Sequence, residues 1–328
     1  MCNFVQERIE CTSSFPKGAI SGERIVIVTE PRPIEKFLAI VGPKTAPRQI
    51  DPYKRRAAME KMAARLPPSN DITAEAVTVA NVPCEWVSAP GSRDDHVAIW
   101  MHGGGFSVGS CFTHRGMAGE LARHANARVL TVDYRLSPEY VFPAALNDVN
   151  AVYAEIAKSA GISKIGVIGD SAGGALTLQC AIEARDNRIR MPEAIALFSP
   201  WLDLSCAGNS YSSHAISDPM IHPDVLRMLA HDYLGTHPAD DPRASPLFAN
   251  LTGLPPILLQ TGSNEVLLDD TLGLDLRGRA AGVNVTLEIW AEMIHVFQAY
   301  GAFLPEAHAA LAKTGRFFKS YWTTTKNS

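Results

Sequence analysis

A chain of 328 residues, 46 % hydrophobic and 20 % charged, can hold one large domain or two small ones and has the make-up of a soluble globular protein. Its formal net charge of −4, with the 30 Lys and Arg scattered, leaves no basic footprint for nucleic acid and excludes that class of function. No apolar run approaches the ~18 residues of a membrane span.

At the N-terminus, MCNFVQERIECTSSF interrupts its apolar residues with Glu7, Arg8 and Glu10, and so lacks the continuous apolar stretch of a signal peptide. Asp51 and Pro52 read as a helix start, with Met59, Met62 and Leu66 forming one stripe among Lys54, Arg55, Arg56, Glu60 and Lys61. From about residue 72, apolar runs rich in β-formers recur at Ala76–Ala80, Val97–Met101, Val129–Val132, Lys164–Ile168, Ala194–Phe198, Ile257–Gln260 and Val283–Trp290. Helix-like segments such as Asp148–Ala160 and Ala172–Ala184 separate most of them, which predicts an α/β fold with a mostly parallel sheet covered on both faces. Residues 201–250 break the rhythm with Pro, Asp and His, carrying one helix-like piece near Pro223–Tyr233. Such a connection is too long for a plain loop, so this stretch and residues 1–70 read as additions over a core. Near the C-terminus Pro305 suits a helix start, and Ala307, Leu311, Phe318 and Trp322 keep helical spacing. The six cysteines (Cys2, Cys11, Cys84, Cys111, Cys180 and Cys206) are dispersed without a CxxC pair, which predicts reduced thiols and a cytoplasmic setting.

GDSAGG, at Gly169–Gly174, contains a GxSxG pattern that chance alone would produce in roughly a tenth of such chains. Its position makes it informative: SKIGVIGD reads as a strand and ALTLQCAIEA as a helix, the strand–turn–helix setting that exposes a nucleophilic serine. The alternative is a helix start capped by Asp170 or Ser171. His102-Gly103-Gly104-Gly105, after the strand VAIWM, is far rarer by composition. Consecutive glycines let backbone N–H groups approach a ligand, and such a loop can donate to an oxyanion. The alternatives are a plain glycine-rich turn or a phosphate loop, the latter disfavoured because no GxxxxGK[ST] occurs.

A serine hydroxyl needs a base, itself oriented by an acid. Of the ten histidines, His102 belongs to the glycine loop, and His214, His222, His231 and His237 crowd the irregular insert without a metal-ligand spacing. His295 follows the last strand-like run, where a loop can bring it over the sheet. After ILLQ, the candidate acids are Glu265, Asp269 and Asp270; the two aspartates sit where a helix would begin and can simply favour its dipole. The order serine, acid, histidine is that of α/β-hydrolases.

Over roughly residues 72–320 the chain resembles the hormone-sensitive-lipase-like (family IV) bacterial carboxylesterases of the α/β-hydrolase superfamily. The resemblance rests on HGGGF (102–106), DYRLSPE (133–139), FPAALND (142–148), GDSAGG (169–174), SPWLDL (199–204) and EVLLDD (265–270), in the family's order. It implies an eight-stranded, mostly parallel sheet flanked by helices, with 71–200 and 251–328 as the catalytic core. A helical cap would be built from 1–70 and 201–250. It further implies Ser171 as nucleophile, His295 as base and Glu265 at the acid position, with Gly104, Gly105 and Ala172 forming the oxyanion hole. Phe106 and Trp201 would line the substrate pocket, with packing as the alternative for Trp201. DYRLSPE and FPAALND are expected as structural neighbours of the site. Two positions depart from the family: Glu265 stands where Asp is usual, and His295-Val296-Phe297 where HGF is frequent, a change of pocket shape rather than of chemistry. The expected activity is serine carboxylesterase on short- to medium-chain esters, with no metal and no cofactor. Lactone or amide hydrolysis on the same triad is one alternative, and a non-catalytic ligand-binding relative the other. The expected partner is a small-molecule ester, with neither nucleic acid nor membrane; a homodimer is left open.

Overall fold

A computed structural model describes residues 51–323 in full and residues 25–28 as backbone. The remaining N-terminal residues, including Cys2, Cys11 and the charges at Glu7, Arg8 and Glu10, lie outside the described residues. The apolar runs become the strands β1 (Ile25–Val28), β2 (Thr73–Val79), β3 (Val82–Ser88), β4 (Arg93–Met101), β5 (Ala127–Val132), β6 (Lys164–Asp170), β7 (Ala194–Phe198), β8 (Ile257–Gly262) and β9 (Val285–Trp290). They form one sheet in the order β1-β9-β8-β7-β6-β4-β5-β3-β2. Eight of them, β2 to β9, give the number implied by the resemblance; β1 adds a ninth at the edge, parallel to β9 with Ile25 opposite Leu287.

Only the two pairings made by β3, with β2 and with β5, are antiparallel. Ala80 and Asn81 join β2 to β3 with φ of 49° and 66°, the left-handed pair that a two-residue hairpin turn requires. Strand β3 carries Pro83 and Glu85 within its span, which hid it from a reading based on apolar runs. The central strands β6, β7 and β8 are buried along nearly their whole length, as expected where helices cover both faces of a parallel sheet.

The helices are α1 (Pro52–Ala63), α2 (Cys111–Ala125), α3 (Ala144–Lys158), α4 (Ala172–Asp186), the single turn α5 (Ser210–Ser213), α6 (Pro223–Leu234), α7 (Leu268–Ala280) and α8 (Pro305–Trp322). Asp51 accepts from the Tyr53 N–H to start α1, and Ser110 and Thr113 close a capping box on α2. Ala307, Leu311, Phe318 and Trp322 of α8 are all buried, the last three packing with α2 residues such as Leu121 on one face of the sheet. On the other face Val149, Val152 and Tyr153 of α3 join Leu178 and Ile182 of α4 and α6 residues such as Leu226. Cys84, Cys111, Cys180 and Cys206 are buried free thiols. Among the described residues no helix is long and apolar enough to cross a membrane.

Candidate active site

Parallel strands running in one direction bring their carboxyl ends to one edge of the sheet, where ligands of open α/β sheets bind. HGGG follows β4, Ser171 follows β6, Ser199 follows β7, Glu265 follows β8 and His295 follows β9. β4, β6, β7, β8 and β9 are consecutive in the sheet.

Ser171 occupies the N-cap position of α4 at φ 52° and ψ −124°, yet its side chain makes no capping hydrogen bond. Its Oγ lies 3.0 Å from His295 Nε2, so the simple helix-start reading of this serine does not hold. The turn needs small neighbours: a Cβ on Gly173 would come within 2.0 Å of the Met101 carbonyl oxygen. His295 Nδ1 stands 3.1 Å from Glu265 Oε2. The network assigns the proton to Nδ1, leaving Nε2 to accept from the serine hydroxyl. Glu265 is fully buried, and its Oε1 accepts from Ser199 Oγ at 2.7 Å and from the Gly262 N–H. Burial disfavours the His295 imidazolium, but the hydrogen bond and charge of Glu265, with the charges of Asp218 and Asp170, outweigh it and raise the pKa above its ordinary value. Serine, imidazole and carboxylate thus form a chain able to take a proton off the hydroxyl.

Asp269 and Asp270 do not reach the histidine. Asp269 accepts from the Ser210 N–H and belongs to the first turn of α7. Asp270 is buried and accepts from the Leu202 and Asp203 N–H groups and the Tyr211 hydroxyl. Burial pushes its carboxyl up to about 7, against those hydrogen bonds. Its role exceeds the dipole contribution expected from the sequence: it fixes the chain entering residues 201–250.

Gly104 and Gly105 have φ of 119° and 60°, and a Cβ on Gly104 would strike the Val108 carbonyl. Their N–H groups and that of Ala172, the first residue of α4, donate to no acceptor among the described residues. The loop is fixed from below. Burial and the neighbouring His114 lower the His102 pKa to about 4, so the neutral ring donates through Nδ1 to the Gly103 carbonyl at 2.8 Å. The DYRLSPE and FPAALND segments complete the support. Asp133 accepts from the Cys111 N–H, Tyr134 donates to the His102 carbonyl, Ser137 donates to the Phe106 carbonyl, and Arg135 pairs with Asp148. Asp170 accepts from Trp100 Nε1 at 2.9 Å and faces His114 Nε2 at 3.3 Å. Burial would raise its pKa, yet His114, Trp100 and His102 together hold it below the ordinary value.

A cavity of about 1100 Å³ opens over Ser171 and His295, walled by Gly104 and Gly105, by Met59 of α1 and by Leu229 of α6. Phe106 and Trp201 do not line it, which corrects the pocket assignment. Both are buried: Phe106 stacks on Tyr233 with ring centroids 3.8 Å apart and lies 5.7 Å from Trp201. Their aromatic bulk signals burial, and here it fills the junction between α6 and the core. Val296 lines the cavity at φ 47°, a left-handed backbone unusual for a β-branched residue, and its N–H donates to Ser199 Oγ.

Two residues not singled out as site residues in the sequence complete the arrangement. Ser199 bridges Glu265 and the backbone of the histidine loop; its place just after β7, between the serine and acid strands, was the available signal. Asp218 accepts from the Met220, Ile221 and Val266 N–H groups, tying the cavity wall to the residue after Glu265; no local pattern marks it. The insert histidines do not converge: His222 caps α6 and His237 pairs with Asp241.

Residues 98–299 match the family model described as alpha/beta hydrolase fold. An acetyl-hydrolase of Streptomyces hygroscopicus is 38 % identical over 248 residues, 75 % of this chain and 82 % of that protein. Among solved structures, an esterase from the bacterial hormone-sensitive lipase family is 38 % identical with a TM-score of 0.86, covering 90 % of this chain and 100 % of that one. EstE5, soaked with p-nitrophenyl butyrate, is 41 % identical with a TM-score of 0.86 and the same coverage. The chain belongs to the α/β-hydrolase fold family, among its esterases of the hormone-sensitive-lipase type.

Proposed function

We propose that the protein is a serine carboxylesterase acting on short- to medium-chain esters, with Ser171 as nucleophile, His295 as general base and Glu265 as the orienting acid. The observation that carries this reading is the continuous contact from Ser171 Oγ through the imidazole to Glu265, at 3.0 and 3.1 Å. In the proposed reaction His295 Nε2 takes the hydroxyl proton as Ser171 Oγ bonds to the ester carbonyl carbon. The carbonyl oxygen gains negative charge and accepts from the N–H groups of Gly104, Gly105 and Ala172. The C–O bond to the alcohol then breaks, the alkoxide taking the proton from the imidazolium. Water repeats the cycle on the acyl-serine: His295 takes its proton, the oxygen bonds to the acyl carbon, and Ser171 leaves with the proton as the acid departs.

In this reading α1 and the segment 201–250 form the cap over a core of 71–200 and 251–328. Dispersed, buried free thiols support a reducing, cytoplasmic setting. The apolar side chains of Met59, Leu226 and Leu229 suit an alkyl chain, and the butyrate soak of EstE5 supports a short one. Initial rates on nitrophenyl esters of increasing length, on emulsified triglyceride, and on matched lactones and amides test the proposal. Highest kcat/KM on C2–C8 esters is expected; faster turnover of the emulsion, or of the lactones or amides, overturns it.

A further inference from the structure

One face of α1 is fastened to the core. Arg56 donates to the Ser107 and Ser137 carbonyls and pairs with Glu139 at 2.7 Å, while Glu60 receives the Ser110 hydroxyl. Another face, at positions 55, 59, 62 and 63, follows helical spacing and lines the cavity that holds Ser171. Arg55 opens this second stripe. It is half-buried and, unlike Arg56, has no ion pair or side-chain hydrogen bond among the described residues.

Other charges in the wall are neutralised or solvated. Arg115 is held by both oxygens of Glu85, Glu120 lies near Arg123 and His308, Asp170 faces His114, and Arg65 is exposed. Burial lowers the Arg55 pKa, the field of Asp232 opposes this and Arg56 adds to it. Asp232 lies beyond ion-pair reach of Arg55; its own near contact is His231, at 3.6 Å. A guanidinium drawn out of water without an ion pair or hydrogen bond is costly, and Arg55 lines the cavity in that state.

Two connections tie the chain around Arg55 to the loop of Gly104 and Gly105. Its neighbour Arg56 bonds the carbonyl of Ser107, three residues from Gly104. On the facing helix Asp232 stands one turn from Leu229, whose side chain would meet a Cβ on Gly105 at 2.5 Å.

We propose that Arg55 forms an anion subsite in the cavity, so that the preferred substrates are esters carrying a carboxylate a few bonds from the scissile carbonyl. The inference rests on the esterase reading and adds a substrate class to it. The guanidinium can take a carboxylate through two parallel N–H donors, while Met59 and Leu229 cover the alkyl stretch between the two groups.

Two matched pairs of esters test it. Monoethyl glutarate against ethyl 5-methylhexanoate places the carboxylate or its neutral isostere on the acyl side; 4-acetoxybutanoate against 4-methylpentyl acetate places it on the alcohol side. The readout is the anionic-to-neutral ratio of kcat/KM, in which any general loss of activity cancels. In at least one pair the ratio is expected to fall about tenfold or more in Arg55→Met, or in Arg55→Gln should the first variant fail to fold. Lys54→Met, which removes an exposed charge from the same turn, is expected to keep the ratio. Unchanged ratios in the Arg55 variants, or an equal fall in Lys54→Met, overturn the subsite while leaving the esterase intact. Failure to hydrolyse any of the four esters overturns the esterase reading and the subsite with it.

Discussion

Ser171 and His295 sit on loops that leave strands buried on both faces, whereas the wall of the cavity opposite them includes α1, a helix with no buried residue. On the sheet side each group is held by partners that are themselves fixed: Glu265 by Ser199 and Gly262, the glycine loop by His102 and Tyr134. On the α1 side the helix is secured by polar contacts of Arg56 and Glu60 at the protein surface. Fixed geometry serves bond making, where a displacement of an ångström is costly; a wall tied by a few polar contacts can yield to substrates of different shape.

The largest effects are expected where the comparison puts rigidity to chemical use. Ser171→Ala is expected to lower kcat by about four to six orders of magnitude while leaving the thermal unfolding midpoint in place. Near-normal turnover on a nitrophenyl ester would remove the sheet side from the chemistry. Glu265→Gln is expected to cost about 10³–10⁴-fold in kcat, because a neutral amide cannot support the imidazolium. It also discards the chief influence that raises the His295 pKa. In the proposed reaction His295 works deprotonated, so the acid limb of kcat/KM should move to lower pH in this variant. A limb that stays put, or a dead Asp269→Asn beside an active Glu265→Gln, would reassign the acid.

Smaller effects are expected from the cap side. Arg56→Ala removes the hydrogen bonds to Ser107 and Ser137 and the pair with Glu139, and is expected to cost about 1–3 kcal/mol in local stability of α1. KM should rise several-fold with a lesser change in kcat, and limited proteolysis should cut α1 sooner; a pure kcat loss would mean that α1 acts in the chemistry. Asp270→Asn sharpens the boundary between the two walls, with the smallest effect on turnover. The folded protein holds the Asp270 proton up to about pH 7, whereas a carboxyl at its ordinary value of 3.8 releases it earlier. That contribution to stability is complete below the ordinary value and declines as pH rises through about 7. Wild type minus variant should therefore be most favourable near pH 4 and shrink toward pH 8, read from unfolding midpoints. A difference that grows with pH would reverse the assignment.

The parts legible in the sequence are those where backbone geometry restricts residue choice. Gly173 must lack a side chain at the elbow, and Gly104 must tolerate φ 119°, so GDSAGG and HGGG announce themselves. The parallel strands were legible because burial on both faces demands unbroken apolar runs. β3 was not, since an antiparallel strand with Pro83 and Glu85 has no such run. Phe106 and Trp201 misled for a related reason: hydrophobicity reports burial, but not whether the neighbour is substrate or Tyr233. Asp218 and Ser199 act through contacts 48 and 66 residues away in the chain, a distance over which local patterns carry no information.

The backbone of Ser171, at φ 52° and ψ −124°, has a consequence for the history of variants of this chain. That conformation is costly for any residue with a Cβ, by something on the order of 1–3 kcal/mol, and glycine escapes the cost. Ser171→Gly is therefore expected to melt at a higher temperature than the wild type while hydrolysing nothing. Selection for thermal robustness alone would drive the serine out, and selection for turnover retains it. On that expectation the elbow is a compromise in which the working protein is less durable than its inert sibling.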